Sequence, residues 1–262
     1  MKSLFNSFPT SVGRVIAFAA ISGLGAISSS YGAIVVNSTS NVASGGTSGD
    51  SYDPSTQGSP TITASSTDLA EGLTATVFYN NPGAGADGST TTESSTGVSA
   101  WTDGSITTYY GSDHTGYGTV DARVGGAELQ TYVTYDLGAL YDISQVNVIL
   151  GWNDSGRDDS SFTLLTSVDG ISYTVAATYT KGADNTNSIT TPVTNLHSIV
   201  DDGGADIATG VQYVQIQFTD ADNGYAGLAE VDILGTAAVP EPSAVLLLGL
   251  GGVAAAARRR RA

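Results

Sequence analysis

Thr131-Tyr132-Val133-Thr134-Tyr135-Asp136-Leu137 and, after a short break, Ser144-Gln145-Val146-Asn147-Val148-Ile149-Leu150-Gly151-Trp152 repeat their apolar side chains with a period of two. That period places Val146, Val148 and Leu150 on one face of an extended strand and Asn147 and Ile149 on the other. Working outward, residues 73–79 form a first candidate strand. Residues 162–167 and 171–178 flank Val168-Asp169-Gly170, an Asp-Gly pair that signals a hairpin. Val214, Ile216 and Phe218 alternate with Gln215 and Gln217, and residues 228–234 supply a last strand. Between the two ends of the chain no run of ten or more residues carries helical periodicity. The expected fold is therefore all-β, an antiparallel β-sandwich or jelly roll over residues 68–236, with a helical signal segment at each end.

Composition agrees. The 262 residues include 33 Gly, 13 Tyr and no Cys, a profile of short strands and turns that excludes disulfides, thiolate nucleophiles and Cys-ligated zinc. Between residues 33 and 240, twenty-four Asp and Glu stand against Arg123, Arg157 and Lys181, a net charge of −21 that repels nucleic acid. Such acidity suits solubility in a salty or extracellular medium, and it also suits binding of cations by some of the acids. With two His and no Cys, nucleophilic triads and His-rich metal centres are nearly out of reach. Adjacent acids, Asp158-Asp159 and Asp201-Asp202, read as solvated turn formers rather than a glycosidase pair.

The ends read as addresses. Lys2 and Arg14 precede an apolar run over residues 15–27, then Ser30-Tyr31-Gly32 with small residues at the −3 and −1 positions. This is a secretory signal over residues 1–32, too short in its apolar run to span a bilayer. Residues 33–67, rich in Ser, Thr and Gly, read as a linker. The tail, residues 237–262, places Pro240-Glu241-Pro242 before an apolar stretch, residues 244–257, and then Arg258, Arg259, Arg260 and Arg261. Prolines keep the motif extended, the apolar stretch enters a membrane, and the arginines stay on its cytoplasmic side, a pattern that by itself reads as a tail anchor, a stop-transfer segment or a sorting signal.

Those three parts, in that order, resemble the PEP-CTERM sorting signal of Gram-negative bacteria. The resemblance implies recognition and removal of the tail by an exosortase-type enzyme, transient inner-membrane contact, and delivery to the envelope or an exopolysaccharide matrix.

A second resemblance lies in the middle of the chain. Asp103-Gly104 followed by Thr107-Thr108-Tyr109-Tyr110, then Asp136-Leu137-Gly138, Ser167-Val168-Asp169-Gly170-Ile171-Ser172-Tyr173, and Ala229-Glu230 resemble, in order and spacing, a discoidin-like, galactose-binding-like domain of the coagulation-factor C type. Tyr110 and Tyr173 stand where that family usually has Trp. The resemblance implies a structural Ca²⁺ held by the side chains of Asp103, Thr108 and Glu230 and by carbonyls of Ala100, Ser105, Thr108 and Ala229, an all-oxygen set that suits a hard cation. Ala86-Asp87-Gly88-Ser89 has similar letters but no paired aromatics after it, and reads as a turn.

Carbohydrate-binding relatives of that family use end loops that carry an aromatic platform and hydrogen-bonding side chains. Here the candidates are Arg157, Tyr225 and His114 first, then Tyr117, Trp152 and Asn223, while His197 reads as structural. For each of these a structural role competes: His114 as a loop residue, Arg157 as a partner of Asp158 or Asp159, Trp152 as a core aromatic. The expected function is a non-catalytic, exported module that binds polysaccharide. A purely structural surface or biofilm-matrix protein is the alternative, and a glycoside hydrolase the third reading.

Overall fold

The structure, a computed structural model, describes residues 32–43, 52–80, 98–108, 130–152, 157–182, 191–221 and 226–239. Eight strands are formed in this part of the chain: β1 (Ile34–Val42), β2 (Thr76–Asn80), β3 (Gln130–Trp152), β4 (Ser160–Ser167), β5 (Thr174–Tyr179), β6 (Val193–Asp201), β7 (Ala208–Ala221) and β8 (Leu228–Ala237). Every pairing is antiparallel. Among the described residues the only helical element is a 3-10 turn over Val98–Thr102. The fold is thus the expected antiparallel sandwich.

β3 organises it. Its first half pairs with β2 and β7, and its second half with β6 and β8. The two runs separated in sequence are therefore one long strand shared by both layers, β2-β3-β7-β4-β5 and β1-β6-β3-β8. The strand turns from one layer to the other at Asp136–Tyr141, where the register with β7 slips. Gly138 takes φ 74° there, and the Asp136 carboxylate accepts its N–H at 2.8 Å. Extra residues on one strand bend it away from its partner, which is how a single strand serves two layers.

Between the layers lie Val133, Tyr135, Val146, Val148, Leu150, Phe162, Leu164, Val214, Ile216, Phe218, Val231 and Ile233, nearly all without solvent exposure. These are the alternating positions legible in the sequence. The Asp-Gly hairpin also forms: Gly170 has φ 70°, and Asp169 Oδ1 accepts the N–H groups of Ile171 and Ser172 at 2.9 and 2.8 Å. Those bonds hold the Asp169 carboxyl below its ordinary range.

The segment read as a linker is built into the fold instead. Ile34–Val42 is strand β1 on the edge of β6. Tyr52 and Ile62 are buried, and Ile62 joins Ile106, Ile149 and Ala229 in a second apolar cluster on the outer face of β3 and β8. Polar bonds hold this segment more than apolar periodicity does. Asn41, fully buried, donates to the carbonyls of Gln57 and Pro60 at 3.0 and 2.6 Å and accepts from the Tyr52 hydroxyl. A composition of Ser, Thr and Gly conceals such anchoring, because one buried amide satisfies several carbonyls without any repeating pattern.

The register sets Val42, Val193 and Trp152 side by side, and likewise Thr131, Phe218 and Phe162. Hydrogen bonds from Gly151 N to Gly227 O and from Gly227 N to Arg157 O, both 2.8 Å, join these groups into one end of the sandwich. A Cβ on Gly227 would stand 2.7 Å from both Gly151 O and Arg157 O. Gly227→Ala is expected to cost about 2 kcal/mol, seen as a lower midpoint in thermal unfolding; an unchanged midpoint would mean these strand ends are not closely joined.

Candidate functional site

The 3-10 turn ends at Thr102, which is locked by its hydroxyl bond to Leu73 O at 2.5 Å and by Gly72 N donating to its carbonyl at 2.7 Å. The chain then turns through Asp103-Gly104. Gly104 has φ 75°, and Asp103 Oδ1 accepts the Ser105 N–H at 2.9 Å. Thr108 pairs with Tyr52 through two backbone bonds, at 2.8 and 2.9 Å. The described part of this loop is therefore held at both ends before any ligand is considered.

Across from it stands Glu230 on β8. Gly104 N donates to Glu230 Oε1 at 3.3 Å, a contact between residues 126 apart in the chain. Glu230 is wholly buried. Its Oε2 has no hydrogen-bond partner, and neither has the buried hydroxyl of Thr108. Burial pushes the Glu230 carboxyl up to about 9, with the charges of Asp232, Asp103 and Asp68 adding to it and the Gly104 N–H opposing. Burial likewise raises Asp103, against its bond to Ser105. Asp232, on the same strand, is raised to about 6 by burial, although it accepts from Asn147 and Ser65.

Buried carboxylates without partners are costly, and they signal a missing cation or a missing proton. Of the six residues expected to hold Ca²⁺, Asp103, Thr108, Glu230, Ala100, Ser105 and Ala229 all fall on the loop or strand that meet here; Ala100, Thr108, Ala229 and Glu230 are completely buried. An orphaned carboxylate oxygen, an orphaned hydroxyl and an all-oxygen donor set fit Ca²⁺. Among the described residues no three His, Asp or Glu side chains converge as a metal cluster, so backbone oxygens must make up such a site.

Two further groups were not singled out in the sequence. Tyr135 is wholly buried with its hydroxyl unpartnered, and its pKa is raised by burial and by the nearby charges of Glu230 and Asp68. Asp68 Oδ1 accepts from Ala70 N at 2.7 Å and Ile233 N at 3.1 Å, which leaves its buried Oδ2 without a partner. Tyr135 sits in plain β alternation and Asp68 at the boundary of a polar stretch, so no local pattern marks either.

Of the expected sugar-contacting residues, His114, Tyr117, Asn223 and Tyr225 lie outside the described residues. Trp152 closes β3 opposite Val193. Arg157 is half-buried with φ 73°, a left-handed backbone uncommon for a residue with a side chain. Its carbonyl is the acceptor for Gly227, so Arg157 and the end of β3 share one end of the sandwich. A groove of about 500 Å³ lies at the opposite end, lined by Ile34, Val168, Asp169, Val175, Ile207 and Val211 among others; Arg157 is not among its described lining residues.

The paired acids are not solvated turn formers throughout. Asp158 is 4% exposed and accepts from Asn195. Asp159 accepts from the Tyr179 hydroxyl at 3.2 Å and lies 3.2 Å from His197 Nε2. Asp201 is buried and takes three backbone N–H groups, those of Gly32, Gly203 and Ala205. His197 is structural: it is 1% exposed, its Nδ1 meets Ser38 Oγ at 2.9 Å, and its ring packs 4.0 Å from Tyr179. It ties β1, β5, β6 and the approach to β4 together.

Among the described residues these features define an antiparallel β-sandwich with a buried, oxygen-rich site under one loop. The PEP-CTERM protein-sorting motif matches residues 238–261, so the chain carries that sorting signal at its end. No curated protein sequence matches the chain. Among solved structures it is similar to a family 32 carbohydrate-binding module from Clostridium perfringens in complex with GalNAc-β-1,3-galactose, at 15% identity and a TM-score of 0.41, over 64% of this chain and 99% of that one. It is also similar to a chitosan-binding module from a chitosanase/glucanase of Paenibacillus sp. IK-5, at 20% identity and a TM-score of 0.41, over 64% and 99%. A third is the family 32 module of Clostridium perfringens NanJ in complex with galactose, at 14% identity and a TM-score of 0.36, over 52% and 82%.

Proposed function

We propose that this chain is an exported, non-catalytic binding module that holds carbohydrate at the cell envelope or in an extracellular polysaccharide matrix, with Ca²⁺ as a structural staple. The observation that carries the reading is the meeting of Asp103-Gly104 with Glu230 across 126 residues, through Gly104 N and Glu230 Oε1. Those are the two elements that the discoidin-like resemblance pairs. Asp103, Thr108 and Glu230 would hold the cation, with carbonyls of Ala100, Ser105, Thr108 and Ala229; the ion supplies positive charge to a buried carboxylate and ties β8 to the loop. The sorting motif supports export and envelope delivery. Exosortase-type cleavage, with the tail in the inner membrane beforehand, completes the pathway.

The sugar site belongs at the end that carries Arg157 and the end of β3, away from the groove at the other end. The partners of Asp158, Asp159 and Asp201 argue against free acids working as a glycosidase pair. Affinity electrophoresis of the exported protein in gels containing galactose-, chitosan- or glucose-based polysaccharide tests this. Retardation by one polymer is expected, with affinity reduced about tenfold in Arg157→Ala, the loss of about 1.4 kcal/mol of binding free energy. Unretarded migration in every polymer would favour a purely structural matrix role; release of reducing sugar would favour a hydrolase.

A further inference from the structure

Just ahead of β1, Gly32 and Ala33 are held by two acids. Gly32 N donates to Asp201 Oδ1 at 3.2 Å and Ala33 N to Asp202 Oδ1 at 2.7 Å. Ala33 O in turn accepts from Asp202 N at 3.0 Å. Asp201 is only 7% exposed, and it is organised by Gly203 N at 2.9 Å and Ala205 N at 3.2 Å. Residue 34 then enters β1 opposite Asp201. Sheet pairing therefore starts one residue beyond this cradle.

Gly32 has no room for a side chain. A Cβ there would stand 2.1 Å from Asp202 Oδ1, 2.2 Å from Gly203 N and 2.6 Å from Asp201 Oδ1. Backbone N–H groups are good donors to carboxylates but carry no net charge, so the adjacent Asp201 and Asp202 still lack a counter-charge among these partners. A cation in place of those amides answers the charge. The residues ahead of this point, Ser30-Tyr31-Gly32, carry the small −3 and −1 residues at which a secretory leader is cut.

We propose that the Gly32–Ala33 bond is the leader-processing site, and that Asp202 and Asp201 form a receptor for the ammonium of the new N-terminus. Hydrolysis by a signal peptidase adds water across that bond: the leader leaves with a carboxylate on Gly32, and Ala33 keeps its nitrogen, protonated to an α-ammonium. That group already lies 2.7 Å from Asp202 Oδ1. Departure of Gly32 vacates the position beside Asp201 Oδ1, and the ammonium has three donors where the amide had one. Leader removal thus turns a hydrogen bond charged on the acceptor alone into an ion pair charged on both sides, one residue ahead of the edge strand β1. Maturation and the final anchoring of β1 become one event.

The test uses the full-length chain exported by a Gram-negative host. Intact mass and N-terminal sequencing are expected to give Ala33 as the first residue. Gly32→Ala keeps a small residue at −1, and its exported product should be identical to wild type in mass and melting midpoint. A product one methylene heavier, or an N-terminus elsewhere, would overturn the processing site. The receptor is tested by acetylating amines in the wild type and in Asp202→Asn. After processing, Lys181 supplies the only other amine, and its contribution is common to both proteins. Acetylation is expected to lower the wild-type midpoint by about 2 °C more than that of Asp202→Asn, the scale of a partly exposed ion pair in a domain of this size. Equal shifts in the two proteins would sink the receptor. Neither outcome depends on sugar or calcium binding.

Discussion

Excess Ca²⁺ added to the EDTA-treated protein is expected to raise its thermal unfolding midpoint by about 5–10 °C. A ligand bound only by the native state stabilises it by about 2.7 kcal/mol at about 100 times Kd, and in a domain of this size each kcal/mol moves the midpoint by about 2–4 °C. Glu230→Gln should abolish the shift while keeping the shape of the side chain. The pH dependence identifies the group responsible. Without cation the Glu230 carboxyl titrates at about 9 in the folded protein, against an ordinary value of 4.5. The folded state therefore holds a proton that the unfolded chain has released, and the associated stability is full below about 4.5 and is lost as pH rises through about 9. Asp232, raised to about 6 from 3.8, adds a loss of the same sign at lower pH. Bound Ca²⁺ keeps Glu230 ionised, so the Glu230 part of the decline should flatten, and the apparent affinity should rise with pH up to about 9 because binding displaces a proton. A midpoint indifferent to Ca²⁺ at pH 8 would remove the cation from the site and leave a protonated Glu230 as the explanation of its burial.

Trp101→Ala is expected to cost about 3–5 kcal/mol and to lower the midpoint by about 10 °C or more. Trp101 is completely buried and packs into the main core from the short turn Val98–Thr102. Five residues in a 3-10 turn hold themselves weakly, so this indole is the principal apolar anchor of the turn. The same turn leads directly into Asp103 and Gly104, so the Ca²⁺ response should fall together with the stability. Trp101→Phe fills part of the volume and should recover part of both. Retained Ca²⁺ stabilisation in Trp101→Ala would show that the loop is positioned by its hydrogen bonds to Gly72, Leu73, Tyr52 and Glu230 without the indole.

The elements that were legible in advance are those whose signal is local. Val214, Ile216 and Phe218 against Gln215 and Gln217 is a period that any half-buried strand imposes on its own residues. Asp169-Gly170 marks its turn because Gly170 takes φ 70° and the Asp side chain caps the backbone beside it. The pairing of Asp103-Gly104 with Glu230 is visible only through resemblance, since nothing within either segment points to a partner 126 residues away. β1 was concealed because an edge strand rich in Ser, Thr and Asn shows little apolar alternation. Residues 52–66 were concealed because Asn41 and Tyr52 hold them through a few buried polar bonds.

Strand periodicity, the Asp-Gly hairpin, the lack of Cys chemistry and the sorting tail follow from the residues in their order, because each depends on neighbours a few positions apart. Tertiary structure decided that residues 131–137 and 144–152 are one strand shared by two layers, since a bulge is defined by its partner's register. It also decided that Tyr135 and Asp68 lie near Glu230, that Gly32 and Ala33 rest on Asp201 and Asp202, and that the large groove lies far from Arg157. Those relations depend on which distant backbones exclude water together, and burial of that kind is a property of the assembled sandwich.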